Sequence, residues 1–177
     1  MLLQEFNDMP AREAAEVVRP CADIDGWVDG VVDGRPYDDL ADLISRADAL
    51  ARTWTPTEVE NALADHPRIG ERHAGTGASA EMSGGEQAGV DPHDADVQRR
   101  LAAGNAAYED RFDRIFLVRA AGRSAEEILA LLEERLANDP ETELAVTSGQ
   151  LREIALLRLE GLVKHSERRP RTDHVTC

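Results

Sequence analysis

The chain has 177 residues, 42% of them hydrophobic and 31% charged, enough for one hydrophobic core and inconsistent with disorder by charge excess. Twenty basic against 35 acidic residues give a net charge of -15, a field that repels phosphate backbones and anionic lipid. With no apolar stretch near the roughly 20 residues of a membrane helix, neither nucleic acid nor membrane is an expected partner.

From Pro10 onward, Ala14, Val17, Val18 and Cys21 recur at helical spacing, and proline suits a first helical turn because its missing N–H would have no partner there. Ile24, Trp27, Val28 and Val31 predict a second helix, broken at Gly34-Arg35-Pro36. Leu40, Leu43, Ile44, Ala47 and Leu50 predict a third. Thr55-Pro56-Thr57-Glu58 combines a capping box with proline at the first helical position; the fourth helix then carries Val59 and Leu63 and leaves His66 at its C-terminal end, before Pro67. Residues 67–82 hold three glycines and little periodicity, and so long a connection in a small domain is usually functional or mobile.

Ser83-Gly84-Gly85-Glu86 reads as the next helix start, and a further helix from about Asp94 carries Val97, Leu101, Ala102 and Tyr108. Ile115-Phe116-Leu117-Val118 is the one β-like stretch; without a second of similar character it is read as buried extended chain or a helix end. Ser124-Ala125-Glu126-Glu127 caps a helix bearing Ile128, Leu131, Leu132 and Leu136, which Asp139-Pro140 ends. The last helix is expected from about Thr142 to His165. The expected architecture is all-α: a single compact domain of seven or eight helices over residues 1–165, with a flexible tail over 166–177.

Lys164, in a charged C-terminal stretch, is the only lysine, so Schiff-base and pyridoxal chemistry have no buried candidate. Cys21, within a helical pattern, and Cys177 make neither a disulfide framework nor a metal cluster. With no targeting signal in MLLQEFNDMP, a cytoplasmic location is expected. On a projection of about 100° per residue, Arg158 lies at the centre of the apolar stripe of Leu151, Ile154, Ala155 and Leu162. A guanidinium keeps its proton on burial, so Arg158 needs an anion, either a protein carboxylate or a ligand, unless its stem snorkels to the surface. His66 is either a group facing a cleft for acid/base work or a C-terminal cap. Ser83 and Glu86 are either a capping box or the polar wall of an anion site at a helix start. Glu71, His73, His66 and His93 lack metal-site spacing, and Gly75-Thr76-Gly77 follows no strand and precedes no G-K-[ST], so neither zinc nor a nucleotide phosphate is expected.

The stretch HPRIGERHAGTGASAEMSGGEQAGVD, residues 66–91, resembles the signature of 2-oxo-4-hydroxy-4-carboxy-5-ureidoimidazoline (OHCU) decarboxylases of urate degradation, H-P-[RD]-[IL]-[GA] followed by S-x-x-E-Q. The resemblance extends to FNDMPAREA, GRPYDDLADL, RFDRIFLVRAAGRSAEEIL and NDPETELAVTSGQLREIALLRLEGLV, nearly the whole chain. It implies an all-helical, cofactor-free and metal-free homodimer that decarboxylates OHCU to (S)-allantoin and CO2 in purine catabolism, linked functionally to urate oxidase and hydroxyisourate hydrolase. It further implies that His66 is the acid/base group and acts with Glu86, that Ser83 and Arg158 complete the site, and that Pro67, Gln87, Phe116, Val118 and Ala120 line the pocket. The chain departs from the family pattern at Asp113, where a glycine is usual, and at Arg119, where a cysteine is common. Competing readings are a non-catalytic helical module docking a basic partner, a divergent paralogue acting on another ureide, and a metal-dependent ureide hydrolase.

Overall fold

The computed structural model describes residues 1–64, 66–70, 81–82, 85–86 and 94–163. Among these are eight α-helices and no strand: α1 Leu3–Asp8, α2 Ala11–Val18, α3 Asp25–Asp33, α4 Leu40–Ala51, α5 Pro56–Leu63, α6 Ala95–Phe112, α7 Ala125–Arg135 and α8 Pro140–Leu162. The all-α expectation is met. Glu81, Met82, Gly85 and Glu86 are also helical, so helical backbone is already present upstream of the expected start at Ser83, a residue outside the described set. The expected tail over 166–177 lies outside it too.

Local chemistry sets most of the boundaries. Thr55 and Ser124 accept hydrogen bonds from the Glu58 and Glu127 amides, and each glutamate reaches back to the cap amide, closing both capping boxes. Asp94 caps α6 through the amides of Asp96 and Val97. Three boundaries differ from expectation. The helix expected to run through Cys21 leaves α geometry after Val18 and tightens into a 3-10 turn, Arg19–Cys21, because Pro20 can neither donate to the carbonyl four residues back nor pack against it. Asp139-Pro140 does not end α7, which stops at Arg135: Asp139 is the N-cap of α8 and Pro140 its first residue, and α8 stops at Leu162, short of His165. The short α1 was not expected; Phe6 and Leu3 bury its one apolar face.

Two hydrophobic clusters fill the interior. One joins α1 to α5 with the Leu151, Ile154, Ala155 and Leu159 face of α8, and holds Phe6, Trp27, Val28 and Leu43. The other lies between α6 and α7 and holds Leu101, Tyr108, Phe112, Ile128 and Leu132. Residues 115–120, which have no helical or turn structure, run along the seam. Leu117 enters the first cluster, whereas Phe116 and Val118 enter the second, the two-residue alternation of an extended chain. The buried extended segment read from the sequence is therefore the divider between the two halves of the core.

Candidate active site

A narrow cleft lies at this seam and is lined by His66, Pro67, Ile69, Glu86, Phe116, Leu117, Val118, Ala120 and Ile154. Six residues expected at the site from the sequence thus line one cleft: His66, Pro67, Glu86, Phe116, Val118 and Ala120. Ser83 and Gln87 lie outside the described residues, as do Glu71, His73 and His93.

His66 follows α5, and its amide donates to the Leu63 carbonyl at 3.0 Å. Pro67 prevents the helix from continuing, so the next residues leave along α6. Arg68 pairs with Glu109 on α6, Nη2 to Oε2 at 2.8 Å. Buried Asn105 donates from Nδ2 to the Ile69 carbonyl at 3.0 Å. Gly70 turns with φ +86°, close against α6: a Cβ there would sit 3.2 Å from Leu101. Three successive residues after Pro67 are thereby fastened to one helix, which fixes where the half-buried His66 stands.

Glu86 is fixed by Arg158. The guanidinium donates from Nε to Glu86 Oε1 at 2.6 Å and from Nη2 to Oε2 at 2.9 Å, the two-pronged geometry of a strong charge-assisted pair. Nη1 donates to the Pro20 carbonyl at 3.0 Å, a carbonyl the 3-10 turn presents. The Arg158 side chain is 3% exposed and that of Glu86 17%, so the pair is held largely out of water. Of the two anions allowed for Arg158 by its place in the apolar stripe, the structure supplies the protein carboxylate. Arg158 lines an adjoining pocket that shares Glu86 and includes Met82, Gly85 and Ala121. Cys21 lies beside the pair: burial pushes its thiol up to about 12, with Arg158 lowering and Glu86 raising it, which suits packing rather than nucleophilic attack.

The extended segment 116–120 makes the opposite wall. At its start Asp113 takes φ 54° and closes α6 by donating its amide to the Glu109 carbonyl at 2.9 Å. A left-handed residue just past a helix is where glycine is favoured, which explains the glycine of the family pattern and shows that aspartate occupies the same conformation. Arg119 does not line the cleft; its Nε donates to Glu153 Oε2 at 3.0 Å and its Nη1 to the Ala121 carbonyl at 3.0 Å.

Sequence reasoning did not single out Ile69 or Ile154 as lining residues, nor the polar group behind the wall. There Arg135, 5% exposed, donates from Nε to Glu143 Oε1 at 2.8 Å and from Nη2 to Thr147 Oγ1 at 3.1 Å. Tyr108 donates to the same Glu143 oxygen. Burial, then that bond, push its phenol up to about 12. The signal was present: Arg135 follows Ile128 and Leu132 at helical spacing, as Arg158 follows Leu151 and Ile154.

A family model described as OHCU decarboxylase matches residues 7–160. Similar proteins include the 2-oxo-4-hydroxy-4-carboxy-5-ureidoimidazoline decarboxylases of Amia calva, 29% identical with 93% of this chain and 95% of that protein covered, and of Mus musculus, 32% identical with 76% and 78% covered. A uric acid degradation bifunctional protein of Bacillus sp. (strain TB-90) is 26% identical over 98% of this chain, which spans 34% of that protein's length. Among solved structures, an OHCU decarboxylase crystallised in the presence of (S)-allantoin superposes with a TM-score of 0.67 at 25% identity, covering 81% of this chain and 94% of that one.

Proposed function

The chain belongs to the OHCU decarboxylase family, and from that premise we propose that it decarboxylates OHCU to (S)-allantoin and CO2 in urate degradation, with His66 as the acid/base group. The observation that carries this reading is that His66 and Glu86 line one cleft with Pro67 and the Phe116, Val118 and Ala120 wall.

The substrate supplies its own electron sink. Its carboxylate sits on a hydroxyl-bearing ring carbon next to a ring C=N. As the C–C bond to the carboxylate breaks, the electron pair forms a C=C bond to the imine carbon, and the imine π pair passes to nitrogen, which takes up a proton. The resulting enol loses its hydroxyl proton while the neighbouring ureido-bearing carbon gains one, and the face of that last protonation sets the S configuration. One proton is consumed for each CO2 released.

His66 at the cleft wall is suited to shuttle these protons, taking one from the hydroxyl and supplying one to a single ring face. Glu86 presents a carboxylate to which hydroxyl and ureido N–H groups donate, fixing that face. Arg158 acts through Glu86: two of its donors lock the carboxylate's orientation and a third ties the pair to the Pro20 carbonyl. Ser83 and Gln87 belong to the same reading through the S-x-x-E-Q element.

The homodimeric state and cytoplasmic location implied by the resemblance are part of this proposal, to be checked by sedimentation and by fractionation of the source cells. No helix among the described residues is long and apolar enough to cross a membrane. A docking module for a basic partner has no use for His66 and Glu86 in a shared cleft, which favours the enzyme. The test is turnover of OHCU by the wild-type chain and by His66→Asn. Stereospecific turnover that survives strong chelation and is lost in the variant supports the proposal; loss on chelation returns the metal-dependent hydrolase.

A further inference from the structure

The cleft wall is fastened from behind at two main-chain atoms. Arg135 Nη1 donates to the Leu117 carbonyl at 2.6 Å, and its guanidinium lies 4.6 Å from the Phe116 ring centroid. Two residues on, the Arg119 amide donates to Gln150 Oε1 at 2.9 Å. Two residues is the spacing at which an extended chain turns its peptide groups to the same side, so one side of the segment is gripped while Val118, between the grips, lines the cleft.

Both grips originate in α8. Glu143, Thr147, Gln150, Ile154 and Arg158 follow one another at steps of three or four, one face of a single long helix. Glu143 and Thr147 hold Arg135, Gln150 holds Arg119, Ile154 lines the cleft and Arg158 holds Glu86. A fully buried ion pair such as Arg135–Glu143 adds little stability over well-packed apolar residues, so its presence calls for another role. Holding a main-chain carbonyl of the cleft wall is such a role.

We infer that Arg135 and Gln150 are positioning residues for the decarboxylation, setting the register of the 116–120 wall against Glu86 through the common face of α8. The inference rests on the functional reading above. Gln150 is the sharper test because it is only half-buried and its removal leaves the ion pair intact. Loss of one such hydrogen bond should raise KM for OHCU about fivefold in Gln150→Leu, with kcat within about twofold. Gln150→Glu keeps an acceptor in place and should return KM to the wild-type value. Arg135→Lys, which loses the forked geometry, should raise KM as well but also lower Tm.

The experiment is steady-state kinetics on these variants, with amide hydrogen exchange read at Arg119. A raised KM in Gln150→Leu, rescue by Gln150→Glu and faster exchange at Arg119 would support the clamp. Unchanged KM, or a loss of kcat alone that follows the folded fraction, would overturn it. A wild-type chain inactive on OHCU would overturn the functional reading and this inference together, whereas an active wild type with unaltered variant constants would overturn the clamp alone.

Discussion

Glu86 and Arg158 stand 72 positions apart and meet through two parallel hydrogen bonds of 2.6 and 2.9 Å, one partner at the cleft and the other within the apolar stripe of α8. Removing the carboxylate takes both charge-assisted hydrogen bonds from a buried guanidinium. Glu86→Ala should therefore cost about 3 kcal/mol, and lower Tm by roughly 6–12 °C for a chain of this size. Pairing Glu86→Leu with Arg158→Met should recover most of that stability and none of the activity, as measured by thermal melts and OHCU turnover.

His66 carries the proton-transfer role but makes no large contribution to the core. His66→Ala and His66→Asn should lower kcat by at least about 100-fold, within the range that general acid/base groups supply, with the far-ultraviolet circular dichroism spectrum unchanged. Turnover in either variant within a few-fold of wild type would remove the residue from the mechanism.

Gly70 and Asp113, two of the three positive-φ positions among the described residues, should respond to substitution with opposite signs. Gly70, at φ +86° and packed against Leu101, should tolerate alanine poorly, with a loss of about 1–2 kcal/mol and a displaced His66 segment. Asp113, at φ 54°, stands where glycine carries no steric penalty, so Asp113→Gly should raise stability by about 0.5–1 kcal/mol. Urea titration of the two variants checks both signs.

The chain's two tyrosines report on alkaline stability. Burial first, and for Tyr108 its bond to Glu143 next, push both phenols from 10 up to about 12, and Tyr37 donates to the Val31 carbonyl at 2.7 Å. A pKa raised in the folded state means that the unfolded chain loses the proton first. This contribution is therefore complete below pH 10 and is lost between pH 10 and about 12. Tyrosinate absorbance should grow only as helical ellipticity falls; ionisation near pH 10 in folded protein would contradict the burial of these rings.

Much of this was legible before any coordinates. Capping boxes at Thr55 and Ser124 and the apolar periodicity place most helices, because their causes are local. Arg158 within an apolar stripe announces a buried charge, since its periodicity is readable, but which anion meets it depends on a chain return of 72 residues. The same limit hid the Arg135 and Gln150 grips: a helical face shows that a polar group points inward, not which carbonyl or amide awaits it. Asp139-Pro140 misled because the dipeptide marks the start of α8, whereas α7 has already ended at Arg135. The six-residue α1 is too short to show a period.

The most direct test of the account is to generate OHCU from urate with urate oxidase and hydroxyisourate hydrolase, add this protein, and follow circular dichroism as allantoin forms. The account predicts rapid growth of an (S)-allantoin signal that depends on His66 and Glu86. Decay of OHCU at its uncatalysed rate to racemic allantoin would contradict it.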